Sequence, residues 1–350
     1  MHPISPDVNC LVAGASGYTG AELMRLLVAH PCFRVAALTG ERSAGKPLAD
    51  VYPHLRGARL PDVISQNDVV WDEIDLVFAC LPHGASQSFV ASVPDRVKVV
   101  DLSADFRLRD VRLYASAYGA AHVAPQLQKT AIYGLTEFAR EAVAAARLVA
   151  CPGCYPTAAA LPLIPLLQRK LIEPNEIIVD AKSGISGAGR GAKEANLYAE
   201  IDGDCFAYGV GVHRHSPEMA QTLSDAAGES VSLHFTPQVI PAARGMLACM
   251  YVKTKNGASS DAIRAALQQA YANERFVRVL PKGALPRVKN VRFTNMCEIA
   301  VAESSLDGRA VVISAIDNLL KGASGQALQN ANLMFGMDEG AGLPKIAAYP

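Results

Sequence analysis

The sequence predicts an α/β protein of two domains: a Rossmann-type doubly wound parallel sheet first, then an α/β domain with a mixed or antiparallel sheet. Three observations lead there. Strand-like and helical runs alternate up to about residue 150, a glycine-rich turn opens the first of these units, and longer β runs follow beyond residue 176. A chain of 350 residues also exceeds one ordinary core.

Val8 to Ala13 reads as the first strand, and Gly14-Ala15-Ser16-Gly17-Tyr18-Thr19-Gly20 follows at once. A helix then runs from Ala21 to His30, with Leu23, Leu26 and Leu27 on one face and Pro31 stopping it. Strand, glycine turn and helix in this order suit a dinucleotide pyrophosphate. The backbone can approach it closely at Gly14, Gly17 and Gly20. The helix start, around Ser16, Tyr18 and Thr19, offers N–H donors. Arg34 to Thr39 is the second strand; Arg42 and Ser43 after it suit the 2′-phosphate of NADPH, although Glu41 argues for NAD. Ile74 to Leu81 is a buried strand ending at Pro82, where ligands gather in a parallel sheet. Val97 to Leu102 is another, with Arg107 just beyond it and able to meet an anion.

The centre of the chain carries Cys151-Pro152-Gly153-Cys154-Tyr155-Pro156-Thr157. A strand, Arg147 to Ala150, leads in and an alanine- and leucine-rich helix leads out, so Cys154 falls at a helix start. Backbone N–H groups there favour an anion, and a thiol so placed ionises more easily and can act as a nucleophile. A dithiol redox pair and half of a zinc site are the competing readings of Cys-x-x-Cys. Pro162 and Pro165 should kink or break the helix.

Glu176 to Ala181 is a strand leading into a second glycine-rich loop, where Ser186 and Gly187 could wrap phosphate or nicotinamide. In Gly211-Val212-His213-Arg214-His215-Ser216-Pro217-Glu218, the two histidines should point to one side of an extended segment, and one is a candidate general base. Val231 to Ile240 and Gly245 to Thr254 read as strands, Ser260 to Tyr271 as a helix. Asp307-Gly308 marks a hairpin between two apolar runs. A last helix should run from Asp317 to about Phe335, with a loose tail after Asp338.

Lys plus Arg equals Asp plus Glu at 33 each, which gives no electrostatic basis for nucleic-acid binding. No apolar run reaches membrane-spanning length, the start lacks a signal-peptide core, and scattered cysteines suit a reducing, cytoplasmic setting.

Together these residues resemble N-acetyl-gamma-glutamyl-phosphate reductases of arginine biosynthesis. The resemblance runs from the Gly14–Gly20 turn to Asn318-Leu319-Leu320-Lys321-Gly322-Ala323, and is most specific at Pro152-Gly153-Cys154-Tyr155-Pro156-Thr157. It also takes in Tyr133-Gly134-Leu135-Thr136-Glu137, the 182–190 loop and the 213–218 segment. It implies a semialdehyde-dehydrogenase-like fold, with an NADP-binding domain over 1–151, a catalytic and oligomerisation domain over 152–317, and a C-terminal helix, about 318–350, returning to the first. It further implies a homotetramer or homodimer and NADPH-dependent reduction of an acyl phosphate, with no metal. Cys154 takes the nucleophile's place and His215 the base's, and Asn318 joins the cofactor set. The substrate carries a carboxylate and a phosphate. Arg107, Lys182, Arg190 and Arg214 are candidate clamps, with His213 and Glu218 as further substrate contacts. Cys151 is read as a bystander. Aspartate-semialdehyde dehydrogenase, a carrier-linked aminoadipyl-phosphate reductase and a non-catalytic NADP sensor are the alternatives.

Overall fold

A computed structural model of the chain describes residues 7–348. Most of the N-terminal stretch read above for a signal core, residues 1–6, lies outside them. The fold comprises two compact units. One holds the chain up to Pro152 together with Ala323–Leu343; the other holds Gly153–Gly322 and the segment from Pro344 onward. The return to the first unit thus begins at Ala323, later than the expected 318, and ends at Leu343.

The first unit is built on eight strands: β1 (Val8–Ala13), β2 (Phe33–Thr39), β3 (Lys46–Pro47), β4 (Asp62–Ile64), β5 (Leu76–Ala79), β6 (Lys98–Asp101), β7 (Ile132–Tyr133) and β8 (Leu148–Ala150). Their order is β3-β4-β2-β1-β5-β6-β8-β7, parallel throughout except for the β3–β4 pair. Strands β1, β5 and β8 are almost wholly buried, as both faces of a parallel sheet should be. Helices α1 (Tyr18–Leu27), α2 (Ser86–Ser92), α3 (Val111–Tyr118) and α4 (Thr136–Ala145) belong to this unit, as does the C-terminal helix Gly325–Met334. That last helix is buried nearly all round, including Gln326, Gln329, Asn330 and Asn332. The Asn330 amide is satisfied at both ends: its Nδ2 donates to Gly134 O at 2.8 Å, and Thr136 Oγ1 donates to its Oδ1 at 2.7 Å. The tail is held, contrary to expectation. Asn332 Nδ2 donates to the carbonyls of Glu339 and Ala341, and Glu339 pairs with Arg140 at 2.7 Å.

The second unit has a seven-stranded mixed sheet in the order β10-β11-β9-β12-β15-β14-β13. Its strands are β9 (Ile172–Gly184), β10 (Phe206–Ala207), β11 (Leu233–Ile240), β12 (Met246–Thr254), β13 (Val277–Val279), β14 (Cys297–Glu303) and β15 (Arg309–Ile316). The Asp307-Gly308 turn joins β14 and β15 as an antiparallel hairpin, with Gly308 at φ 68°. Helices α5 (Cys154–Gln168), α6 (His215–Ala227) and α7 (Ser260–Ala270) are its longest. One face of the sheet packs on α5. Ala181, Ala248 and Ser314 stand side by side across β9, β12 and β15, and Ser314 Oγ reaches the Ala158 carbonyl of α5. The opposite face carries Ile178, Tyr251 and Val311 in one cross-strand row.

The expected break in α5 does not occur: the helix is continuous through Pro162 and Pro165. Each proline removes an N–H that would have bonded four residues back, to Ala158 O and Leu161 O. The first carbonyl accepts the Ser314 hydroxyl at 2.6 Å, and the second accepts the Tyr271 hydroxyl. Two side-chain donors thus replace the two lost amides. Among the described residues, no helix is long and apolar enough to cross a membrane.

Candidate active site

In the second unit, Gly153 caps α5 and Cys154 is its first residue, half-buried. Gly153 has φ −66°, a torsion open to any residue. The unpaired N–H groups of a 15-residue helix gather at this end, and the dipole favours a thiolate there. Cys151, by contrast, is 1% exposed, and burial pushes its thiol up to about 12.

The start of α6 is stitched to the start of α5. Glu218, 1% exposed and in the first turn of α6, accepts the Gly153 N–H through Oε1 at 2.8 Å. That oxygen of Glu218 holds the turn before Cys154. His215 is the first residue of α6, with Pro217 in the first turn, where its missing N–H costs nothing. Residues 213–215 are not extended as expected: Arg214 has helical torsions, φ −62° and ψ −15°. The two imidazoles still lie together, with centroids 4.9 Å apart, because the helix turns back on the preceding loop. His213 Nδ1 accepts the His215 N–H at 3.1 Å, and burial, aided by Arg214, lowers its pKa to about 4. A neutral His213 gives an anionic substrate no charge to meet. Tyr155 packs edge-on to both histidines, at 5.7 and 5.9 Å, and its hydroxyl accepts that of Tyr208 at 3.1 Å. This tyrosine pair, with Phe235 behind it, walls the site and was not legible from residue spacing.

The clamp candidates separate. Lys182 projects from the sheet face opposite α5, ion-paired with Asp180, so strand alternation carries it away from Cys154. Arg190 and Arg214 are exposed, Arg190 on the loop after β9 and Arg214 at the α6 cap. Ser186 lies in the turn Ile185–Ala188 and accepts from Asn318 Nδ2 at 3.0 Å; Gly187 follows it, exposed. Asn318 Oδ1 also accepts the Gly245 N–H, so both ends of its amide hold loops of the second unit in place.

In the first unit, Arg107 is 8% exposed and clips two strand ends. Its Nε donates to Cys151 O at 2.7 Å and its Nη2 to Leu102 O at 3.0 Å. The glycine turn has the shape that a pyrophosphate needs. Gly14 has φ 81°, and a Cβ there would lie 2.5 Å from Cys80 O; one on Gly20 would lie 2.7 Å from Ala15 O. Tyr18 and Thr19 open α1 behind the Gly17 cap. The turn after β2 meets this loop: a Cβ on Gly40 would lie 3.5 Å from Ser16 Oγ and 3.9 Å from Ser43 Cβ. Ser43 is buried and Arg42 exposed in the turn Glu41–Ser43. Pro82, in the loop after β5, accepts the Ala85 N–H at 3.2 Å. These residues fit a dinucleotide. Among the described residues, no group of three or more His, Cys, Asp or Glu could hold a metal ion.

Residues 9–146 match the semialdehyde dehydrogenase NAD binding domain and residues 154–318 the semialdehyde dehydrogenase dimerisation domain. A probable chloroplastic N-acetyl-gamma-glutamyl-phosphate reductase of Arabidopsis thaliana is 50% identical over 344 residues, covering 98% of this chain and 86% of its own length. An N-acetyl-gamma-glutamyl-phosphate reductase of Rhodospirillum rubrum is 50% identical over 352 residues, covering 99% and 100%. Among solved structures, aspartate semialdehyde dehydrogenase II of Vibrio cholerae superposes with a TM-score of 0.73 at 17% identity, covering 94% of this chain and 98% of its own. Aspartate semialdehyde dehydrogenase of Candida albicans, with NADP, does so at 0.69 and 17%, with the same coverage. Half-identity over nearly the whole length, on this fold and with this cysteine at a helix start, means that the chain belongs to the N-acetyl-gamma-glutamyl-phosphate reductase family of semialdehyde dehydrogenases.

Proposed function

We propose that the protein reduces N-acetyl-L-glutamyl 5-phosphate to N-acetyl-L-glutamate 5-semialdehyde and phosphate with NADPH, a step of arginine biosynthesis. The observation that carries this reading is Cys154 at the start of α5, tied through Gly153 and Glu218 to the helix that begins with His215. His215 takes the Cys154 proton. The thiolate attacks the acyl carbon, the C–O bond to phosphate breaks, and a thioester forms on Cys154. Bound NADPH supplies the hydride that reduces this thioester. His215 then handles the proton at the thiohemiacetal oxygen as the C–S bond breaks and the aldehyde leaves. The cofactor would be held by the turn Gly14–Gly20 and by Pro82, with Arg42 and Ser43 reading the 2′-phosphate; Ser186, Gly187 and Asn318 are proposed at its nicotinamide end. Arg107, Arg190 and Arg214 remain the proposed anion contacts; Lys182, on the far sheet face, is not among them.

Intact-mass measurement tests the central step. Incubation with the acyl phosphate and no NADPH should add one N-acetylglutamyl group, and Cys154→Ala should abolish both the adduct and turnover. A wild-type protein that forms no adduct would refute the reading.

We further infer that two copies meet through the open sheet face. Ile178 and Tyr251 are each 41% exposed there, in a domain whose family is named for dimerisation. Sedimentation as a monomer at micromolar concentration would refute this. Eight free cysteines support a reducing, cytoplasmic setting.

A further inference from the structure

Gly322 presses against the nucleophile. A Cβ built on it would lie 2.7 Å from Cys154 Cβ, 3.1 Å from Cys154 Cα and 3.3 Å from Ile316 Cδ1. Ordinary contact begins at 3.4 Å, so any side chain here must displace Cys154 or the turn that carries Gly322. That turn is a π-helical one, Leu320–Ser324, a rare geometry that tends to occur at functional sites. It does not float. Gly322 N–H donates to Asp317 O at 3.1 Å. The Asp317 carboxylate, 0% exposed, accepts the N–H groups of Leu319 at 2.9 Å, Leu320 at 3.2 Å and Phe293 at 2.6 Å, and pairs with Arg244 Nε at 3.2 Å. A fully buried carboxylate is costly unless its donors are well placed, and here they converge to fix one short turn.

We propose that Gly322 is a positioning residue for the reaction: its bare backbone, locked by Asp317, sets the place of Cys154 at the head of α5. Of the three atoms nearest to that added Cβ, the two closest belong to Cys154; the third is Cδ1 of the buried Ile316. An alanine there moves the thiol against both the helix N-terminus and the incoming acyl carbon. A displacement of this size is enough to cost about 10- to 100-fold in rate. This inference rests on Cys154 being the nucleophile.

The test is Gly322→Ala, read three ways. The kcat should fall about 10- to 100-fold, with the KM for NADPH unchanged. Alkylation of Cys154 by iodoacetamide, followed by peptide mass, should slow. The pH midpoint of that alkylation should move, because the thiolate has left its place at the helix end. Wild-type kcat together with a wild-type alkylation profile overturns the proposal. Should Gly322→Ala not fold, Asp317→Asn loosens the same turn without adding bulk. A wild-type rate and pH midpoint at Cys154 in that variant overturns it equally, and a shifted midpoint supports it. Cys154→Ala separates the two readings. If it still turns over, the nucleophile assignment fails and this proposal with it. If it is dead while Gly322→Ala behaves as wild type, only the positioning role fails.

Discussion

Two histidines two residues apart illustrate what a single side chain's surroundings decide. Spacing alone left His213 and His215 equal. The structure separates them: burial, with Arg214 beside it, lowers His213 to about 4, and its Nδ1 accepts the His215 N–H. His213 is therefore neutral throughout the working range and serves as an acceptor that fixes the first turn of α6. His215→Asn should slow hydride transfer by about 10²–10⁴-fold and remove the neutral-range ionisation from the pH–rate profile. His213→Asn should keep that ionisation and lose far less. Single-turnover kinetics across pH 5–9 checks both variants, and loss of the ionisation in His213→Asn alone would reverse the roles. The choice of His215 in the sequence leaned on Glu218 as its partner, and one carboxylate oxygen of Glu218 also accepts the Gly153 N–H. Glu218's place beside His215 was legible in the sequence; its donor, the Gly153 N–H, was not, because 65 residues of chain separate the two.

At the scale of elements, α5 shows how far pattern reading reaches. Its alanine- and leucine-rich run announced a helix, and residues Tyr155 to Leu167 of that helix are all buried. The prolines announced a break that tertiary structure removes, since donors 156 and 110 residues away in sequence satisfy the freed carbonyls. No local window contains Ser314 and Tyr271. The same limit hid the anchoring of the tail and the amide contacts of the C-terminal helix, whereas the glycine turn and the Asp307-Gly308 hairpin are local and were readable. Ser314→Ala and Tyr271→Phe should each leave one buried carbonyl without its donor, at about 1–3 kcal/mol. Urea unfolding should show a lower midpoint with an unchanged slope in each variant. Because the carbonyls lie one turn apart on one helix, the double variant need not show additive losses. Wild-type midpoints in both single variants would mean that the hydroxyls do not support α5.

For the molecule as a whole, formal net charge is zero at pH 7, so overall repulsion is small there and buried groups contribute visibly to its response to pH. Two in the first unit oppose each other. His30, stacked on Phe33 at 4.4 Å and bonded to Asn332, is held below its usual pKa chiefly by burial. A histidine with a lowered folded pKa contributes stability that is present above about pH 6.5 and lost as pH falls. Asp101, 0% exposed, is pushed up to about 6 by burial, with Ser86 and Ser103 hydroxyls pulling it down and Asp105 pushing it up. Its contribution has the other sign: fully present below its usual value of 3.8, and lost as pH rises through about 6. In the wild-type protein the two partly cancel between pH 4 and 7. Asp101→Asn keeps an acceptor for the Ser103 N–H and the Ser86 hydroxyl but has no charge to bury. Relative to wild type it should gain most at pH 7, by roughly 2–4 °C for each kcal/mol relieved, and the gain should shrink toward pH 4. Its own stability should then fall more steeply on acidification, because His30 acts unopposed. The chain has one tryptophan, Trp71, in the first unit and 6.3 Å from Phe89, so its fluorescence reports the melting of that unit. Melting curves for the two proteins that run parallel from pH 4 to 7 would show that Asp101 holds no proton in the folded state that it lacks in the unfolded one.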